Sequence, residues 1–264
     1  MMRIEFAGSY ASGKSTVAPI IVKRLNLYLF EKRHCSCMDN IVGLIKGRLK
    51  INKQKINLQN SWKAYLASTW SIDRCVSLKD KPSLIDQGSI SHLWSLYCRD
   101  VLDEDGIVKA LKAIPLPDYL FFFHASTVER LQRNLTRKKK KQFPSERVDS
   151  WLLHTVPDLV SEGLSASEID DLIGSVAQSM FKPPIRSSDL ITRAQLLMES
   201  TSALKAKTDS DRVALFRSLL SKRKISLSYV NTTHRSIEQV VSLIESELQD
   251  KFNKMSIVNK LNYG

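Results

Sequence analysis

The sequence has few cysteines, a shortage of acids and no long apolar run. Only Cys35, Cys37, Cys75 and Cys98 occur in 264 residues. They form no C-x-x-C pair, and a disulfide framework in so long a chain would be sparse, so reduced thiols are expected. His34 beside Cys35 and Cys37 finds no further ligands at zinc spacing, and no zinc site is expected. The longest apolar runs, such as Tyr119–Phe123, fall far short of the roughly 20 residues that span a bilayer, which excludes a membrane span, and no membrane partner is expected. The segment Met1–Phe6 carries an early acid and no long apolar stretch, so it does not read as a secretory leader and the expected location is the cytoplasm. No internal repeat is visible.

The shortage of acids is a matter of balance: 40 Lys and Arg stand against 27 Asp and Glu, a net charge of +13. Such a field attracts phosphate-bearing partners of every size and selects none of them. An apolar fraction of 43% can offset the entropy of ordering, which excludes a wholly disordered chain. The length fits one large domain, or one domain with a substantial insertion.

Arg3–Ala7 reads as a strand, Gly8–Thr16 as a loop, and Val17, Ile20, Ile21 and Leu25 as one face of a helix that Pro19 should kink. Leu27–Phe30 is a second strand. Residues 41–79 carry helical spacing, and Lys81-Pro82 opens a third strand, Ser83–Asp86. Tyr119–Phe123 is a fourth, followed by the capping box Ser126-x-x-Glu129 and a basic helix expected to run on through Lys141 to Phe143-Pro144. From 145 to 222 the pattern is helical. Ser165-x-x-Glu168 caps a helix with Ile169, Leu172, Ile173, Val176 and Met180 on one face, and helical stretches follow around 190–198 and 211–222. Ile225–Val230 is the fifth strand, and Ser236–Gln239 caps a last helix with Ile237, Val240, Val241, Ile244 and Leu248 inward. Since Gly8–Ser15 fits the phosphate-loop pattern G-x-x-x-x-G-K-[ST], the fold class expected is α/β, a P-loop NTPase three-layer sandwich with a mostly parallel five-stranded sheet. Residues 1–264 would form a single domain, with 145–222 a helical insertion within it.

Three features carry chemistry. Gly8-Ser9-Tyr10-Ala11-Ser12-Gly13-Lys14-Ser15 fits G-x-x-x-x-G-K-[ST] between a strand and a helix, and Thr16 follows it. Backbone amides of such a loop converge on phosphates, Lys14 reaches the β- and γ-oxygens, and the Ser15 hydroxyl binds Mg²⁺. A chance match in this length is on the order of one percent. Asp86 ends an adjacent strand, where a carboxylate can hold Mg²⁺ through water or accept a hydroxyl proton. The run from Arg130 to Lys141 can form a basic lid over a transferred phosphoryl group, with Arg133 and Arg137 one helical turn apart. A solvated helix face and a polyanion patch are the alternatives for that run.

On these residues the chain resembles the thymidylate kinase group of P-loop kinases, within the nucleoside and nucleotide kinases. The resemblance covers Gly8–Thr16, Ser71-Ile72-Asp73-Arg74, Leu84-Ile85-Asp86, the Pro117-Asp118 strand with Arg130 and Arg133 after it, and Ser236-Ile237-Glu238. It implies that Asp86 is the acid of the family's Asp-Arg motif, Arg74 an arginine near the acceptor, Arg133 and Arg137 lid arginines, and Asn231-Thr232 a loop beside adenine. Where the family's arginine follows the acid, this chain has Gln87 and Gly88, and a neutral amide cannot grip a phosphate as guanidinium does. After the second strand, Glu31-Lys32-Arg33-His34 stands in place of the family's Arg-Glu-Pro-Gly.

The function expected is Mg²⁺-dependent transfer of the ATP γ-phosphoryl group to a small hydroxylated or phosphorylated acceptor, with Arg74 and Gln87 at the acceptor. ATP and that acceptor are the expected partners; a second copy of the chain is a further candidate. The alternative is a nucleic-acid-directed P-loop protein, a polynucleotide 5′-kinase or a strand-binding ATPase. It would use the basic segment 130–147, whose eight basic residues face Glu146 alone, and stacking on Trp62 and Trp70. A regulatory nucleotide-binding protein without catalysis is the third class.

Overall fold

The computed structural model describes residues 2–31, 81–98, 102–114, 116–136, 143–144, 148–182, 185, 187–204, 208–223 and 225–263. In chain order the main elements are β1 (Arg3–Gly8), α1 (Lys14–Arg24), β2 (Tyr28–Glu31), β3 (Ser83–Asp86), α2 (Ser89–Tyr97), α3 (Glu104–Ala113) and β4 (Tyr119–His124). They continue with α4 (Thr127–Leu135), α5 (Val148–Ser161), α6 (Ala166–Met180), α7 (Ser187–Leu204), α8 (Asp209–Ser221), β5 (Ser226–Asn231) and α9 (Ile237–Tyr263). They group into two compact units: a sheet unit of Met1–Ser9, Gly13–His124 and Arg223–Gly264, and a helical unit of Tyr10–Ser12 and Ala125–Lys222.

In the sheet unit five strands lie in the order β2-β3-β1-β4-β5, every pair parallel. The five strands read from the sequence are all present, and the α/β P-loop fold is confirmed. Central parallel strands are covered on both faces, so β1 and β4 read as nearly continuous apolar runs rather than alternating ones. Ile4, Phe6, Leu84, Phe121, Phe123 and Val230 pack with α1 and α9 in one core, where the Phe6 ring meets Phe121 edge-on at 5.6 Å. On the other face Trp94 of α2 meets Phe122 edge-on at 5.1 Å. Glu5 is the exception to the apolar rule, a carboxyl group in the middle of the central strand with 1% exposure.

One expectation is corrected here, the inward placing of Ile237. Helix α1 runs unbroken from Lys14 to Arg24 with Pro19 inside it. Pro19 and Ser15 are both exposed, so the Ser15 carbonyl that Pro19 leaves without a helical donor sits where water can reach it. Ile237 is not inward but 50% exposed. It is the first helical residue, one turn ahead of the buried stripe Val240, Val241, Ile244 and Leu248. The cap itself forms as read: the Gln239 amide donates to Ser236 Oγ and the Ser236 amide to Gln239 Oε1.

The helical unit has its own core, from Val148, Leu152, Val156 and Leu159 of α5, Ile169, Ile173, Val176 and Met180 of α6, and Leu190 and Ala194 of α7. Its helix starts are fixed by side chains. Ser165 with Glu168 and Thr208 with Asp211 form complete capping boxes. Helix α4 ends at Leu135, short of the span expected for it; Arg137 and the lysines to Lys141 lie outside the described residues. A two-residue parallel pairing of Phe143–Pro144 with Phe181–Lys182 joins segments that the sequence reading left unconnected.

Candidate phosphate-binding site

The loop is fixed first by its glycines. Gly8 sits at φ +116°, and a Cβ there would lie 2.0 Å from the Phe123 carbonyl oxygen, so the end of β1 beside its partner strand β4 admits no side chain. The Ser9 amide donates to that same carbonyl at 2.9 Å. Gly13, at φ +91°, is the residue from which α1 starts. Lys14 is buried, and its Nζ donates to the carbonyl oxygens of Gly8 at 3.0 Å and Ser9 at 2.6 Å. The ammonium is thereby folded back over the loop, while Ser15 and Thr16 are exposed at the positive end of the helix dipole.

Asp86 closes β3 in register with Phe6 of β1 and Glu31 of β2. It stands at the carboxyl edge of the sheet, the edge from which open parallel sheets bind ligands. Gln87 follows in the left-handed region at φ 63°, which costs a non-glycine residue about 1 kcal/mol. Four described non-glycine residues have positive φ, and two of them are Ala11 in the loop and Gln87 behind Asp86. Strain of this kind gathers at sites where geometry is imposed by function. The Gln87 amide donates to the Phe6 carbonyl, 3.4 Å away, tying the turn after Asp86 to β1.

The crown of the loop, Tyr10–Ser12, belongs to the helical unit. Arg133 Nη1 donates to the Ala11 carbonyl at 3.3 Å, and its Nη2 pairs with Glu129 one turn earlier. Tyr10 donates its hydroxyl to Asn134 Oδ1 at 3.2 Å. Within the helical unit Arg133 therefore holds the crown through Ala11. Arg130 is different. Its Nη2 lies 2.9 Å from Asp209 and 3.9 Å from Asp158, and donates to Thr127 Oγ1 at 2.6 Å. That guanidinium is committed to joining α4, α5 and α8, and is not part of a phosphate lid.

Asn231 ends β5, and its Oδ1 accepts from the Thr233 amide, an Asx turn that shapes the following loop. Thr232 is buried, with both its amide and its hydroxyl on the His124 carbonyl. His124 Nδ1 lies 3.4 Å from Ser9 Oγ and its ring stacks with Tyr229 at 6.0 Å, a neighbour of the loop that motif reading missed. Glu5 was missed too, since nothing about an acid in a strand sequence tells that it is buried. Arg74, Arg137, His34, Cys35, Cys37, Cys75, Trp62 and Trp70 lie outside the described residues.

A hydroxyl from Ser15 and a carboxylate from Asp86 are hard oxygen donors of the kind Mg²⁺ takes together with phosphates and water. Among the described residues there is no group of three or more His, Cys, Asp or Glu that could hold a metal by itself, and no helix long and apolar enough to cross a membrane.

No protein-family profile matches the chain, and no curated protein sequence does. Solved structures do match. Deoxyadenosine kinase from M. mycoides with bound dATP aligns over 94% of this chain and 100% of its own at 12% identity, with a TM-score of 0.42. Thymidylate kinase from Candida albicans aligns over 96% of this chain and 92% of its own at 14% identity, with a TM-score of 0.51. On the strand order, the loop and that alignment, the chain has the P-loop α/β fold and is similar in architecture to the Candida albicans thymidylate kinase.

Proposed function

We propose that the chain transfers the γ-phosphoryl group of ATP to a small hydroxylated or phosphorylated acceptor, as a cytoplasmic kinase of the nucleoside and nucleotide kind. The observation that carries this is the loop: Gly8 packed without a side chain, Gly13 starting α1, and Lys14 folded over the backbone between them. Loop amides between Ser9 and Thr16 and the α1 dipole hold the β-phosphate and its neighbours, and Lys14 moves from its backbone carbonyls to the phosphate oxygens. Mg²⁺, held by Ser15 and by Asp86 through water, would neutralise charge on the phosphates when bound. Asp86 also stands where a carboxylate can accept the acceptor's hydroxyl proton. Arg133, with Arg137, supplies positive charge to the transferred group, Arg74 and Gln87 meet the acceptor, and Asn231 lies beside adenine. The chain works as one kinase domain, with 145–222 its helical insertion.

The test is ATP consumption against a panel of nucleosides, nucleotides, sugars and oligonucleotides. Stimulation by one small compound, lost in Asp86→Ala and Lys14→Ala with melting temperatures unchanged, is expected; removing one such electrostatic contact costs ~100-fold or more in rate. No stimulation by any small molecule would overturn the reading. Single-strand binding that falls steeply with salt would move it to a nucleic-acid-directed protein using segment 130–147. Tight ATP binding without turnover would move it to a regulatory one.

A further inference from the structure

Among the described residues Glu5 is the one acid buried in the sheet, and the chemistry above does not use it. Its Oε1 accepts from the Ser91 amide at 2.9 Å. The amides of Ile90 and Ser89 and the Ser89 hydroxyl bear on the same carboxyl group. These are the first residues of α2, whose opening amides have no acceptor within the helix. No side chain caps this helix from its own N-cap, which is Gly88. The cap comes instead from β1, 86 residues earlier in the chain.

Gly88 is shaped to the same carboxyl. A Cβ on it would lie 2.7 Å from both Cδ and Oε2 of Glu5. The turn therefore closes directly on the carboxyl group, with Gln87 in the left-handed region before it. Two further bonds run from the turn and helix to the neighbouring β1 residue: the Gln87 amide and Ser91 Oγ both reach the Phe6 carbonyl, at 3.4 and 3.5 Å. Asp86, in register with Phe6, is the last strand residue before this turn.

We propose that Glu5 is a positioning residue that caps α2 from the central strand and so sets the turn Asp86-Gln87-Gly88 that presents the candidate magnesium and acceptor groups. It touches neither nucleotide nor acceptor. Burial raises its pKa to about 8, so near neutral pH it is largely a protonated acid whose carbonyl oxygen still accepts from the helix amides. An apolar residue of similar size would fill the space and leave those amides with no partner.

The inference rests on the proposed function only where it concerns Mg²⁺, and the experiment has one arm for each part. The first arm is amide hydrogen exchange in Glu5→Gln, which keeps an acceptor oxygen, and Glu5→Leu, which keeps the volume. Exchange at 87–91 should speed up at least ~10-fold in Glu5→Leu, with β1, β4 and α1 unchanged, and stay within about twofold of wild type in Glu5→Gln. Unchanged protection at 87–91 in Glu5→Leu would overturn the proposal, as would a loss spread evenly over the sheet. The second arm is the gain in ATP affinity on adding Mg²⁺, which should fall about tenfold in Glu5→Leu and in Asp86→Ala while affinity without Mg²⁺ holds. A wild-type gain in Glu5→Leu would overturn it. Should the wild-type protein bind no ATP, the phosphate-loop reading fails and the exchange arm still decides the role of Glu5. If Glu5→Leu does not fold, Gly88→Ala presses on the same carboxyl from the other side and is read in the same way.

Discussion

Among the described residues each unit buries one acid, and the two are handled differently. In the sheet unit Glu5 lies among backbone and hydroxyl donors at the start of α2, with no cation among the groups that set its pKa. In the helical unit Asp158 lies beside Arg130, accepts from the Asp209 amide and is 3.4 Å from Thr127 Oγ1. Desolvation is the largest influence on both, and it drives Glu5 up to about 8 but Asp158 only to about 6. The guanidinium and the Asp209 amide favour the charged form of Asp158, with Asp209 and Glu162 opposing. The difference teaches that a carboxyl among amides serves as a neutral cap, whereas a carboxyl beside guanidinium serves as a charge that ties helices together.

The largest effect should come from Arg130→Ala, which strands Asp158 and Asp209. A loss of about 3–5 kcal/mol is expected from breaking so buried a pair. Urea unfolding should show the loss at pH 7.5 and a smaller one at pH 5, where Asp158 is protonated. An equal loss at both would mean that Arg130 acts through Asp209, its nearer partner, or through packing, and not through the charge of Asp158. Next is Gly88→Ala, whose methyl meets the Glu5 carboxyl at 2.7 Å. Overpacking of this kind costs about 1–3 kcal/mol, read as a fall in the denaturation midpoint. Combining it with Glu5→Ala, which opens the space, should recover part of that loss.

A smaller effect separates the two acids by pH. The folded protein keeps a proton on Glu5 between its usual 4.5 and about 8, where the unfolded chain has released it. Stability therefore falls as pH rises through that window and levels off above it. For Asp158 the window runs from 3.8 to about 6. Glu5→Gln should remove the decline between pH 6 and 8 and lessen the one below, whereas Asp158→Asn should lessen only the decline below pH 6 and leave the upper one intact. Identical profiles for the two variants would erase the distinction. The smallest effect is Ser165→Ala, which removes half of the α6 capping box at a cost of about 1 kcal/mol. Its cost should not change between pH 6 and 8.

The loop and the strands were legible because their signals are local. G-x-x-x-x-G-K-S is contiguous, each strand is a short apolar run with a turn residue beside it, and the boxes at Ser165 and Ser236 lie within four residues of chain. Asp86 could be singled out for the same reason, as an acid ending such a run. Arg130 could not be told from Arg133, though both are basic residues of α4. Their partners, Asp209 and the Ala11 carbonyl, are 79 residues later and 122 residues earlier in the chain. Pro19 does not interrupt α1, because the cost of a helix proline depends on whether its released carbonyl faces water. Ile237 matched the period of α9 but lies one turn before the core begins.

By itself the sequence determined the strand–loop–helix at Gly8, the five parallel strands and the helical character of 145–222, since apolar period, glycine placement and caps act within a few residues. Only the tertiary structure decided which polar side chains are buried and what they face. It put Glu5 under α2, Arg133 on the loop crown and Arg130 between Asp158 and Asp209. Burial and the partners of a charge are made by residues far apart in the chain, and no local pattern of amino acids records them.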